Sequence, residues 1–248
     1  MALTPFETLT GSLSLTIVII SSIIGLKIVS KYFKLKQRQL LLVGLTWILL
    51  CEIWWSSAFS FLVALFTGEA LSEEVYFSLG NFLVPVALLI WLTAFTDFMY
   101  QKKKKIILSI TGITGVLYYI VFFYFIFVDV SVIGVMFNAV DAEYRSFALI
   151  YLISVLFTFL TTGLMFAIKS LKSDNPEIKL KGKFLFLAVV SFTIGAALDG
   201  LKPFLFEEIL NAVLIINRII LVTSALEFYT GFMLPRWIKE LILRNEKV

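Results

Sequence analysis

Seven long apolar stretches dominate this chain, at about 11–30, 40–66, 76–100, 106–128, 146–168, 184–200 and 209–233. A helix needs about 20 apolar residues to cross a hydrocarbon core roughly 30 Å thick, and each stretch is close to that length. Composition agrees. Of 248 residues, 60% are hydrophobic and 15% charged, where a soluble domain carries roughly 45–50% and about 25%. Mean hydropathy is +0.98. Such a chain cannot hide its apolar surface in water, which excludes a soluble enzyme and a disordered regulator. The expectation is an all-α integral membrane protein: a seven-transmembrane-helix bundle over 1–233, followed by a short cytoplasmic helix over 234–248.

The basic residues set an orientation. Eighteen of the 21 Lys and Arg fall around the first, third and fifth loops and in the tail, among them Lys27, Lys34, Lys102–Lys105, Lys179, Lys183 and Arg236. Positively charged loops stay cytoplasmic, so the N-terminus is expected outside and the C-terminus inside. The opposite side carries Glu7, Glu69, Glu73, Glu74, Asp129, Asp141, Glu143, Glu207 and Glu208, read as solvated loop charges. The loop at about 129–145 is apolar for a solvated segment, with Val132, Ile133, Val135, Met136 and Phe137, and reads as packed over the bundle.

Charges inside the membrane are costly and usually face the bundle interior. Glu52 and Arg218 both fall near mid-depth. In a closed ring the second and seventh spans are neighbours, so these two side chains are expected to meet, with Asn211 and Asn217 nearby. This centre is either an ion pair that sets helix register or a polar site for a ligand head group or an ion. Nearer the cytoplasm, Lys27 and Glu227 are expected to approach each other. Asp97, before the four-lysine run, reads as local charge neutralisation. Asp199 falls near the outer end of the sixth span and is assigned to the interface.

The third span reads NFLVPVALLIWLTAFTDF and the seventh NAVLIINRIILVTSALEF. Without gaps Asn81 falls on Asn211, Thr93 on Thr223, Asp97 on Glu227 and Phe98 on Phe228. A 3+1+3 parallel repeat would produce this pattern, and such repeats occur in some transporters. After the last span, Leu234, Trp237, Ile238, Leu241 and Ile242 recur at helical spacing opposite Arg236, Lys239 and Glu240. That is a short amphipathic interfacial helix, with Arg236, Trp237 and Lys239 as partner-facing candidates.

Several chemistries are missing. Histidine is absent and Cys51 is the single cysteine, which excludes His-dependent triads, His or Cys metal clusters and an internal disulfide. The last span has Arg218 but no lysine, so no retinal Schiff base forms and no cofactor is expected. Rhomboid, intramembrane aspartyl protease, elongase and P-loop motifs are absent, and an enzyme is not expected. The basic residues follow membrane topology, so no nucleic acid partner is expected. Aromatic residues crowd span four, from Tyr118 to Phe127, and read as lipid-facing bulk.

Seven spans with an interfacial tail resemble G-protein-coupled receptors in outline. The third span with its basic loop, and the last span ending in Gly231–Phe232–Met233–Leu234–Pro235–Arg236, resemble the seven-helix N-terminal membrane modules of archaeal and bacterial sensor histidine kinases. The Lys-, Ile- and Phe-rich composition suits an AT-rich genome such as an archaeon's. That resemblance implies a receptor-like sensor in the cell membrane. A small or amphiphilic ligand would reach Glu52, Arg218, Asn211 and Asn217, and a cytoplasmic signalling protein would read the loops and tail. A small transporter or channel using the same centre, and a structural membrane protein, are the alternatives.

Overall fold

The computed structural model describes residues 3–201 and 207–243. The last part of the tail expected over 234–248 lies outside them. Ten helices are described: α1 (Pro5–Leu35), α2 (Arg38–Leu50), α3 (Ile53–Thr67), α4 (Glu73–Asn81), α5 (Val84–Met99), α6 (Lys104–Val128), α7 (Ser146–Leu171), α8 (Pro176–Gly200), α9 (Glu207–Met233) and α10 (Arg236–Leu243). Between α6 and α7 a short antiparallel hairpin pairs β1 (Gly134–Met136) with β2 (Ala142–Tyr144).

Six segments are long and apolar enough to cross a membrane, α4 and α5 together forming one of them. The bent pair α2–α3 makes a seventh if it counts as one span. The chain is an all-α, multi-pass membrane protein. Its outer surface is apolar in the manner of such proteins: Ile106, Ile113, Ile120, Ile150, Ile153 and Phe157 are each more than half exposed.

Two segments expected as continuous spans are broken. The α2–α3 pair bends by 53° at Cys51–Glu52. The α4–α5 pair is interrupted at Phe82–Leu83, just before Pro85. A proline in the first turn needs no amide hydrogen bond but cannot continue a preceding helix. Apolar composition alone hides such breaks.

Helix α9 lies between α8 and α1; α1 packs on α2 and α3, α2 on α5, α5 on α6 and α7, and α7 on α8. A central core includes Trp47, Trp54, Trp91, Phe159, Phe192 and Phe228. Trp47 of α2 stacks on Phe228 of α9 with ring centroids 4.0 Å apart, so these helices do meet, through aromatics. A second cluster at the hairpin end holds Phe77, Tyr118, Phe122 and Ile133. Tyr118 and Phe122 are therefore buried, whereas Tyr124 and Phe127 face outward. The reading of span four as lipid-facing bulk holds for only one side of α6.

The apolar loop does pack over the bundle. Ile133 and Val140 are buried. Thr4 and Glu7 form a capping box at the start of α1, and the second Glu7 oxygen accepts the Ala139 amide at 3.0 Å. Glu73 accepts the Met136 amide at 2.8 Å, and Tyr76 donates to the Val140 carbonyl at 3.2 Å. These acids serve as backbone acceptors rather than as free loop charges.

At the opposite end, Asp97 pairs with Lys104 at 2.5 Å, the local neutralisation expected there. Helix α10 rests against α8 through Lys239 and Glu177, 2.5 Å apart. Arg236 and Trp237 are exposed, Trp237 by 67%.

Candidate functional site: a cavity ending in a buried ion cluster

Arg218 is 1% exposed on α9. Its guanidinium holds Asp199 of α8 at 2.7 Å and Asp141 of the hairpin at 3.4 Å. Asp199 also accepts the Trp54 indole N–H at 2.6 Å. One cluster thus ties α3, α8, α9 and the hairpin together. Buried charges persist only when paired and hydrogen-bonded, and this guanidinium meets that condition through two carboxylates.

The expected Glu52–Arg218 pair is not formed. Glu52 is equally buried, at 1% exposed, but both its oxygens accept the Leu83 amide, at 2.7 and 2.8 Å. It sits at the bend between α2 and α3 and caps the start of α5. The hairpin folds inward and delivers Asp141 to Arg218 instead. Two earlier readings are corrected with it. Asp141 is not a solvated loop charge but 1% exposed, and Asp199 is an ion-cluster member rather than an interface residue.

The other predicted residues separate. Asn217 is fully buried beside Arg218, and among the described residues its side-chain amide has no hydrogen-bond partner. Asn211 is exposed near the hairpin end of α9 and takes no part in the cluster. Asn81, its expected repeat counterpart, is buried and bonded to Tyr118 and Tyr144. The two asparagines that anchor the proposed repeat therefore occupy unlike environments. Lys27 and Glu227 do not pair: the Lys27 amine lies 5.8 Å from the Tyr229 ring, and Glu227 faces Ser191. Among the described residues no cluster of three or more His, Cys, Asp or Glu is placed to hold a metal.

A cavity of about 370 Å³ adjoins the ion cluster. Its polar end is Arg218, Asp199 and Asp141, with Ser57 and Tyr76 hydrogen-bonded to each other at 2.8 Å. Its walls are apolar: Leu50 and Trp54, then Leu149, Leu152, Ile153 and Leu156 of α7, then Phe192, Ala196 and Ala197 of α8. The volume lies at the low end of the 300–1,000 Å³ typical of small-molecule sites. Burial raises the Tyr144 phenol well above its ordinary range, so this wall residue stays neutral at physiological pH.

The shape follows from where α7 and α8 touch. Away from the hairpin they are zipped by glycines. A Cβ on Gly163 would lie 2.7 Å from the Val189 side chain, and one on Gly182 would lie 2.8 Å from the Leu171 amide nitrogen. Toward the hairpin the two helices instead line opposite walls of the cavity. Ile153 on one wall and Leu201 on the other are 56% and 48% exposed. Among the described residues, the lining of the cavity is therefore partly exposed on both α7 and the end of α8.

The Trp54–Asp199 bond can be tested alone. Trp54→Phe keeps most of the buried ring and removes the N–H. A hydrogen bond to a charged group contributes about 1.5–3 kcal/mol, so unfolding in lipid nanodiscs should show a loss near the lower figure.

Comparison with protein family models, with curated proteins and with solved structures finds no match. The site is read from its own chemistry.

Proposed function

We propose that this chain is a seven-span, receptor-like protein of the cell membrane, with its hairpin end outward, that binds a small amphiphile in the cavity. The observation that carries this reading is the cavity itself, apolar along its walls and closed at one end by a buried ion cluster. An apolar tail would lie between α7 and α8, and a polar head would reach Asp199 and Arg218. Arg218 is on α9, which leads through Leu234 and Pro235 directly into α10. A ligand that binds two packings of α8 on α9 with different affinity shifts their populations, and α10 would present the change to a cytoplasmic partner. The placement of basic residues supports the orientation. The resemblance to sensor-kinase membrane modules points the same way.

A second reading is a small transporter. It draws on the breaks in two spans, since discontinuous helices build the substrate sites of many transporters.

The test uses the full chain in nanodiscs and a series of brominated single-chain amphiphiles with different head groups. Saturable quenching of Trp54 fluorescence is expected, with Trp54→Phe defining the Trp54 share of the signal. Ala197→Phe, which fills the cavity, should weaken that quenching at least tenfold. Absence of saturable quenching by any head group would overturn the reading. Uptake of the bound compound into sealed vesicles by the purified protein alone would replace the receptor with the transporter.

A further inference from the structure

Glu52 is the buried charge that the cavity does not use. It does not line the cavity, and it has no Lys or Arg partner among the described residues. Its two oxygens both accept the Leu83 N–H, and the Phe82 amide is also directed at it. The groups around it are neutral. From α6, Tyr118 and Tyr119 lie within electrostatic reach, and from the hairpin so does Tyr144. Asn81, at the end of α4, bridges Tyr118 and Tyr144 by hydrogen bonds.

The position matters as much as the chemistry. Glu52 occupies the bend of one broken span and bonds to the break of another. At the second break the Phe82 amide keeps the Ser78 carbonyl at 3.0 Å, while the Leu83 amide, at the start of α5, is taken by the Glu52 carboxylate. An ionised carboxylate is acceptor-only, with room for several donors, whereas protonation turns one oxygen into a donor. Carboxyl groups within the membrane interior are rare and mark proton relays and ion pathways in many membrane proteins.

We propose that Glu52 is a proton-binding site that latches the two broken spans. Ionised, it holds the Phe82–Leu83 amides and keeps α5 docked at the bend of α2 and α3. On protonation, an O–H bond forms on one oxygen, and that oxygen turns toward a phenol or carbonyl acceptor. The amide bond at Leu83 weakens, and the junction between the spans loosens. No co-reactant is needed beyond the proton itself. This inference does not rest on amphiphile binding: Glu52 does not line the cavity, and Tyr144 is the neighbour that touches both.

The experiment is infrared difference spectroscopy of the full chain in nanodiscs as the pH is stepped, paired with hydrogen exchange at residues 82–86. The wild type is expected to show a reversible protonated-carboxyl band as pH falls. Over the same steps, exchange at Leu83 should rise severalfold beyond the intrinsic change with pH. Glu52→Gln, a neutral mimic whose amide oxygen still accepts a hydrogen bond, should lack the band and show raised exchange at every pH. Glu52→Asp, still titratable but shorter, should keep a band at a shifted frequency and guards against loss of fold in the Gln variant. A band that persists in Glu52→Gln assigns the proton to another carboxyl and overturns the proposal. So does Leu83 exchange that follows only the intrinsic pH dependence in the wild type.

Discussion

Arg218→Gln should cost about 3–5 kcal/mol of stability, the range for breaking a buried ion pair by removing one partner. The guanidinium stands between Asp141 and Asp199, both largely withdrawn from solvent. Without it, both carboxylates lose the guanidinium that neutralises them in a setting of low polarity. The glutamine amide can donate to one of them but cannot neutralise either. Unfolding of the full chain in nanodiscs measures the loss. The hairpin should loosen first, because Asp141 is its contact with the helix bundle at α9, and the Ala139 and Val140 amides should lose exchange protection. Adding Asp199→Asn to Arg218→Gln should recover part of the loss, since it removes one of the two negative charges that Arg218 neutralised. A double-mutant cycle between Arg218 and Asp199 should show strong coupling. The same cycle between Arg218 and Glu52 should be additive within about 0.5 kcal/mol, as expected of residues with no shared partners. Strong coupling in the second cycle would contradict the partner assignment given above.

That contrast marks how far the sequence could be read. The spanning segments were legible because 20-residue apolar runs have few other uses. The Asp97–Lys104 neutralisation was legible because the two residues are seven apart, across a short turn. Arg218 and Glu52 were legible as buried charges because each interrupts an apolar run. Their partners were not. Asp141 lies in a loop whose fold depends on Gly134 fitting against Phe77 and on a turn built by Asn138, which accepts the Val140 and Asp141 amides. No hydropathy pattern reports that such a loop folds inward far enough to bury Asp141. Asp199 looked interfacial because it ends an apolar segment, and depth alone does not say which way a side chain points. The breaks at Cys51–Glu52 and Phe82–Leu83 were hidden because the residues on both sides are apolar. Pro85 was the one signal available, and with Glu52 at the same depth on the neighbouring span it could have located the junction.

Gly44→Val should be the most damaging small substitution on the side of the bundle away from the ion cluster. A Cβ on Gly44 would sit 2.7 Å from the Gly25 carbonyl oxygen, 2.7 Å from the Val29 side chain and 2.9 Å from the Val29 amide nitrogen. A Cβ on Gly25 would meet the Gly44 carbonyl at 2.7 Å. The helices α1 and α2 therefore cross with backbone against backbone, the close approach that small residues permit between membrane helices. Two effects oppose each other at such a site. Replacing Gly by Ala in a helix gains about 1 kcal/mol of propensity, while overpacking costs about 1–3 kcal/mol. Two of the three colliding atoms at Gly44 are main chain, which no rotamer change can move, so the clash wins. Gly44→Ala should lose stability despite its better propensity, and Gly44→Val should lose about 3 kcal/mol. Gly112 of α6 supplies the opposite case, because a Cβ there meets nothing within 4 Å. Gly112→Ala should be neutral or gain up to about 1 kcal/mol. Thermal unfolding of the three variants in one lipid separates the two effects. If Gly44→Ala gained stability as Gly112→Ala does, α1 and α2 would not be in backbone contact, and the packing that holds α1 between α2 and α9 would have to be redrawn.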